Sequence, residues 1–182
     1  MSLIQRVRKA ILVSSLILVA VSAWAQMGGA PGAEVKKLDY FVGTWNAEGA
    51  IAQGPWGAGG KFTSTGTTEW MPGGFFLVRH SDVTMPSELG GAGKETAIVG
   101  YDSDQNVYTN DTFNSQGRHT VSKGTVSGDT WTWTSTANYG GQDIKHKMTI
   151  KTLSPTSYTL KVEISIDGTN WITFMDVKAT KK

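Results

Sequence analysis

Cysteine is absent from the 182-residue chain. That absence excludes disulfides, thiol nucleophiles, thiolate metal sites and a lipid anchor on a cleavage-site cysteine. Proline is scarce at five residues, and leucine is thin after the first 25 positions. Catalytic signatures are missing as well. No Ser-His-Asp arrangement, no phosphate-cradling glycine loop ending in Lys-Ser/Thr and no spaced carboxylate pair can be read. Charge of one sign is also lacking. The chain carries 17 Lys and Arg against 15 Asp and Glu. Three of the bases, Arg6, Arg8 and Lys9, lie in the first nine residues. Without them the balance is 14 against 15, a net of −1, which removes the electrostatic basis for a nucleic-acid partner.

Those first residues have a pattern of their own. A basic start is followed by a run of 12 largely apolar residues, Ala10 to Val21, and by Ala23-Trp24-Ala25 before Gln26. This is the order of a secretory signal peptide. The run is too short to span a bilayer, which takes about 20 residues, and no later run is as long. Residues 1–25 are therefore expected to be a leader cleaved near Ala25. The protein is expected to be exported, to the periplasm or beyond the cell, with no stable membrane insertion. Residues 26–33, rich in Gly and Ala, read as a flexible lead-in. Residues 34–182 read as one domain.

What is abundant in that domain is glycine, threonine and alternation. Ten segments read as strands: 42–53, 61–70, 75–84, 94–101, 107–114, 118–127, 130–137, 143–153, 157–167 and 171–180. Turn clusters such as Pro72-Gly73-Gly74, Asp102-Ser103-Asp104 and Gly140-Gly141 separate them. Such short links join antiparallel neighbours, because parallel ones need long crossovers. Tyr158, Leu160, Val162 and Ile164 share one face, with Thr159, Lys161 and Glu163 on the other. Each such strand has one dry and one wet side. Only residues 34–40 suggest a helix, and one short helix cannot cover ten strands. The sheet must close on itself, which also removes its edges. The expected fold is all-β, an antiparallel up-and-down β-barrel of about ten strands with a short N-terminal helix. A two-sheet sandwich is the rival, disfavoured by the regular hairpin spacing.

The segment FVGTWNAEG, Phe41 to Gly49, resembles the Gly-x-Trp opening of the calycin barrels, which include lipocalins, fatty-acid-binding proteins and nitrobindins. WMPGGFFLV (Trp70 to Val78) and IVGYDSDQNVY (Ile98 to Tyr108) are similar to recurring segments of an often exported, bacterial calycin-like family of unknown function. The resemblance implies a barrel with a possible interior pocket and a structural Trp45 packed across its base. It implies no reaction. Nitrobindins hold haem through a histidine near the C-terminus, and the last strand here has none. Lipocalins pair the opening Trp with a late Arg, where this chain offers Lys178 as the nearest late base.

The leading expectation is a container for a small hydrophobic or aromatic molecule, with no catalysis and no cofactor. Tyr101, Trp131, Trp133 and Tyr158 are placed inside by alternation and would line an apolar pocket. Arg79 and His80 are adjacent on a strand that is apolar on both faces. An inward Arg79 could clamp a carboxylate, or could simply pair with Asp82 or Asp111. His146 lies on a dry face between Ile144 and Met148. A metal or haem site on scattered histidines is the weaker reading, because His80, His119 and His146 form no ligand motif. Two alternatives belong to other classes. One is an isomerase- or hydrolase-type barrel enzyme using Asp111, His119 or His146. The other is a module for protein or glycan, working through Trp56 in the loop GPWGAGG. The oligomeric state cannot be read.

Overall fold

The computed structural model describes residues 29–182. The expected leader and the first residues of the lead-in lie outside them. The compact unit runs from Ala33 to Lys182. It opens with one helical turn, α1 (Ala33–Lys36), continued by a 3-10 turn (Lys37–Phe41). Ten strands follow: β1 (Gly43–Ile51), β2 (Gly60–Trp70), β3 (Leu77–Thr84), β4 (Ala92–Asp102), β5 (Val107–Asn114), β6 (His119–Ser127), β7 (Thr130–Tyr139), β8 (Gln142–Ser154), β9 (Ser157–Ser165) and β10 (Ile172–Lys181). Each pairs antiparallel with the next, and β1 pairs with β10, so the sheet is a closed up-and-down barrel. In the closing ladder Trp45 stands opposite Lys181 and Ile51 opposite Met175.

Local chemistry explains the turns. Gly140 and Gly141 form the two-residue β7–β8 loop, and both have positive φ, 59° and 90°. That hairpin geometry suits the right-handed twist of its strands and is open to glycine without strain. In the β9–β10 turn, Asp167 Oδ1 accepts from the backbone N–H of Thr169 and of Asn170, both at 2.8 Å. On the outer face of β8 and β9, Lys147 and Lys161 bracket Glu163 at 2.9 and 3.3 Å. The wet faces expected from alternation are this outer wall.

One end of the barrel is shut. The opening helical segment lies across it and buries Val35 and Leu38. Leu38 packs into a cluster with Leu77, Tyr108, Trp131, Trp133 and Ile150. Polar tips are met at the edges of this plug. Trp45 Nε1 donates to the Phe41 carbonyl at 2.9 Å, and Trp70 Nε1 donates to Asp39 at 2.8 Å. Tyr108 donates to the Glu34 carboxylate at 2.8 Å, and Tyr40 reaches the carbonyls of Ser154 and Ser157. The bodies of Trp45 and Tyr108 are buried and those of Tyr40 and Trp70 half-buried, while their N–H and O–H groups keep partners, which limits the desolvation cost of burying them.

The opposite end is framed by loops 52–59 and 85–91 and by three tight turns. Gln116 Nε2 donates to the Gly90 carbonyl at 3.1 Å, tying two of these loops together. The wall has one irregularity nearby. The β6–β7 ladder runs only from Lys123 to Ser127, although β6 pairs with β5 from His119. Residues 119–122 of β6 and 135–139 of β7 therefore part company, leaving a side slot. Thr120 lines both this slot and the barrel interior.

Candidate functional site

The barrel is not packed solid. Above the plug lies a cavity of about 400 Å³, within the usual size range of small-molecule sites. Alternation along each strand sends every second side chain into it. Trp45, Arg79, Trp133, His146 and Tyr158 all border it. Tyr101 and Trp131 do not. They belong to the plug, Trp131 buried against Tyr108 at 4.8 Å between rings and Tyr101 against the same Tyr108 at 5.0 Å. Period two tells which side of a strand a residue takes, but not its height along the barrel, so alternation places these two inward without placing them in the floor.

The ambiguity at Arg79 and His80 resolves cleanly. Arg79 points in and His80 points out, where its Nδ1 lies 3.0 Å from the Thr96 hydroxyl. Neither Asp82 nor Asp111 is the partner of Arg79. Its Nη2 donates to Glu95 on β4 inside the cavity, while Asp82 pairs with Lys94 on the outer wall. Glu95 was missed because its facing depends on the β3–β4 register, in which Ser81 stands opposite Glu95 and Arg79 opposite Ala97. The signal was present in the run Glu95, Ala97, Val99, Tyr101, four alternate residues of β4.

The cavity wall is divided. Strands β3 to β7 supply Ser81, Arg79, Glu95, Asn110, Thr112 and Ser122, with Leu77 and Val99 near the closed end. Strands β8 to β10 and β1 supply Met148, Ile150, Leu160, Val162, Met175 and Val177. Three buried side-chain atoms on this lining have no protein partner: Arg79 Nε, Trp133 Nε1 and His146 Nε2. Trp133 is held in place by the absence of a side chain opposite. Its ring lies flat over Gly124, where a Cβ would come within 2.5 Å of it. Burial, and secondarily the nearby Arg118, holds His146 below the ordinary histidine pKa, so its imidazole is neutral near pH 7. Burial raises the pKa of Tyr158, against a smaller opposing effect of the Arg79 cation.

The residues named for an enzyme do not converge in the cavity. Asp111 and His119 lie on the outer wall, 3.0 Å from each other and substantially exposed, with Phe113 stacked on the His119 ring at 4.5 Å. His146 is inside. His80 and His119 thus face outward and His146 inward, and among the described residues no group of three or more His, Cys, Asp or Glu could hold a metal ion. Strand β10 places no imidazole in the cavity, so the nitrobindin arrangement of haem does not fit these residues. Trp56 is not a free aromatic. Its Nε1 donates to the Ala52 carbonyl at 2.7 Å, and its ring packs edge-on against Phe174 at 5.3 Å. The late base that meets Trp45 is Lys181, whose ammonium sits 5.0 Å from the indole centroid. Lys178 stands opposite Glu48 instead.

A family of proteins of unknown function, DUF1579, matches residues 30–181. The chain belongs to this family. No curated protein matches it in sequence. Solved structures resemble this DUF1579 member in shape with little identity. The Rv2717c crystal structure from M. tuberculosis superposes with a TM-score of 0.58 at 11% identity, covering 84% of this chain and 99% of that one. The S-type phycobiliprotein lyase CPES from Guillardia theta gives 0.55 at 9% identity, covering 86% and 96%. At such identities the likeness concerns the fold alone, a closed antiparallel barrel. Among the described residues no helix is long and apolar enough to cross a membrane.

Proposed function

We propose that this DUF1579 protein is a container that binds one small apolar or aromatic ligand inside its barrel, without chemistry. The observation that carries this reading is the cavity of about 400 Å³ beside a plug that already supplies the core. A barrel needing only to be stable gains by filling such a space, because unfilled volume forfeits packing energy. Trp133, Tyr158, Arg79 and His146 are the proposed contacts. The two aromatic rings offer faces to a flat ligand, and the wall from β8 to β1 offers hydrocarbon.

Export belongs to the same proposal. The leader pattern in residues 1–25 supports secretion, with residues 26–33 as lead-in and 34–182 as the working domain. Purification from a host that exports the protein, followed by native and denaturing mass spectrometry, tests both parts. The expected product begins at Gln26 and carries an extra mass of a few hundred daltons that denaturation releases. An uncleaved start would remove the export reading. A ligand-free mass, together with failure to take up any added apolar dye, would remove the container reading.

A further inference from the structure

The interior is not the uniformly apolar pocket of a carrier for plain hydrocarbon. It has two sides, and the polar side is electrically balanced. Arg79 brings one positive charge and Glu95 one negative charge to the same place, and they answer each other. Three nitrogen atoms remain buried without a protein partner: Arg79 Nε, Trp133 Nε1 and His146 Nε2. The first two are N–H groups that can only donate. These atoms are closed to solvent as well, so they already carry the desolvation cost of unmet donors. A guest that brings acceptors within their reach makes the bonds that the protein leaves unmade. It must bring them without a negative charge, because a carboxylate set beside Arg79 would also sit beside Glu95. Apart from His146 and the Tyr158 hydroxyl, the opposite wall of Met148, Ile150, Leu160, Val162, Met175 and Val177 offers carbon and sulfur, so most of that edge of the guest is hydrocarbon.

Resting on the container reading, we propose that the ligand is an uncharged, flat molecule with carbonyl-type acceptors along one edge and hydrocarbon along the other. Arg79 and Trp133 donate to its acceptors. Glu95 both neutralises Arg79 and turns carboxylated relatives away. Selection thus works by a repulsive element as well as an attractive one. His146, kept neutral, adds no charge that would reward an anion.

The test is a fluorescence titration of the full chain with a matched pair, 7-diethylaminocoumarin-3-carboxylic acid and its ethyl ester, beside the hydrocarbon dye diphenylhexatriene. The ester is expected to bind at least ten-fold more tightly than the acid. In Glu95→Gln that ratio is expected to fall below about three, through a gain for the acid. Trp133→Phe keeps an aromatic ring on the wall and removes the donor. It is expected to weaken the ester about five-fold more than it weakens diphenylhexatriene, the effect of one neutral hydrogen bond beyond the shared loss of ring contact. An acid that binds as well as the ester overturns the proposal in favour of anion capture by Arg79. Equal binding of hydrocarbon and ester, with no effect of Trp133→Phe, overturns the acceptor edge and leaves the container standing. If none of the three dyes binds, both readings fail. The wild-type comparison decides even if a variant does not fold.

Discussion

At the residue scale, the side chains that shape this molecule are those whose polar atoms are deliberately met or left unmet. Tyr108 is one of the former. Its hydroxyl donates to the Glu34 carboxylate, which also holds Lys37. Tyr108→Phe keeps the ring in the plug and is expected to cost about 1 kcal/mol, the net worth of one such bond, read as a shift in the urea midpoint. His146 is one of the latter. Its folded pKa lies below the unfolded value, so the folded protein takes up that proton less readily. The stability it contributes is complete above about pH 6.5 and is lost as pH falls through and below that value. An NMR titration should place its midpoint below that of a free histidine. In His146→Gln this part of the acid-side loss of stability should vanish. A midpoint at or above the ordinary value would show that His146 is solvated rather than buried.

At the scale of elements, the helical segment and the wall slot make different demands. Residues 33–41 are too few to hold a helix by themselves, so their order comes from docking onto the barrel floor. Leu38, fully buried there, is the anchor. Leu38→Ala is expected to cost about 2–5 kcal/mol and to loosen the plug, seen as added quenching of Trp131 and Trp133 fluorescence by acrylamide. The slot between β6 and β7 should be the weak seam of the wall. Amides of residues 119–122 that face it lack ladder partners and are expected to exchange with deuterium well before those of 123–127. Uniform protection along β6 would mean that the ladder closes in solution.

The ten strands are legible because turn residues bound each of them and period-two alternation marks the later ones, as in Tyr158–Ile164, and closure follows from the lack of anything else to cover the sheet. Strand β3 was legible only as a strand. Val78 on its outer face is as apolar as Leu77 within, so only the ladder with β4 decides that Arg79 enters and His80 leaves. The Arg79–Glu95 pair depends on a register set across loop 85–91, which no local pattern announces. Trp131 and Trp133 share a face and differ only in height, so one became floor and the other cavity wall. Lys181 rather than Lys178 meets Trp45 because Lys178 lies on the outer face of β10, between the buried Val177 and Ala179, while the β1–β10 register sets Lys181 opposite Trp45.

At the scale of the whole molecule, the barrel spends its large aromatics on closing one end and leaves the middle open. This arrangement has a purpose only if something enters. The most direct measurement is diphenylhexatriene binding by the wild-type chain and by Ser64→Trp, which sets an indole into the cavity from β2, beside Ala47 and Val83. Both proteins should melt cooperatively, the variant within a few degrees of the wild type. Wild-type protein is expected to take up one dye per chain and the filled variant none. If both bind the dye equally, or if the folded wild type takes up neither this dye nor the coumarin ester, the interior is not a ligand site.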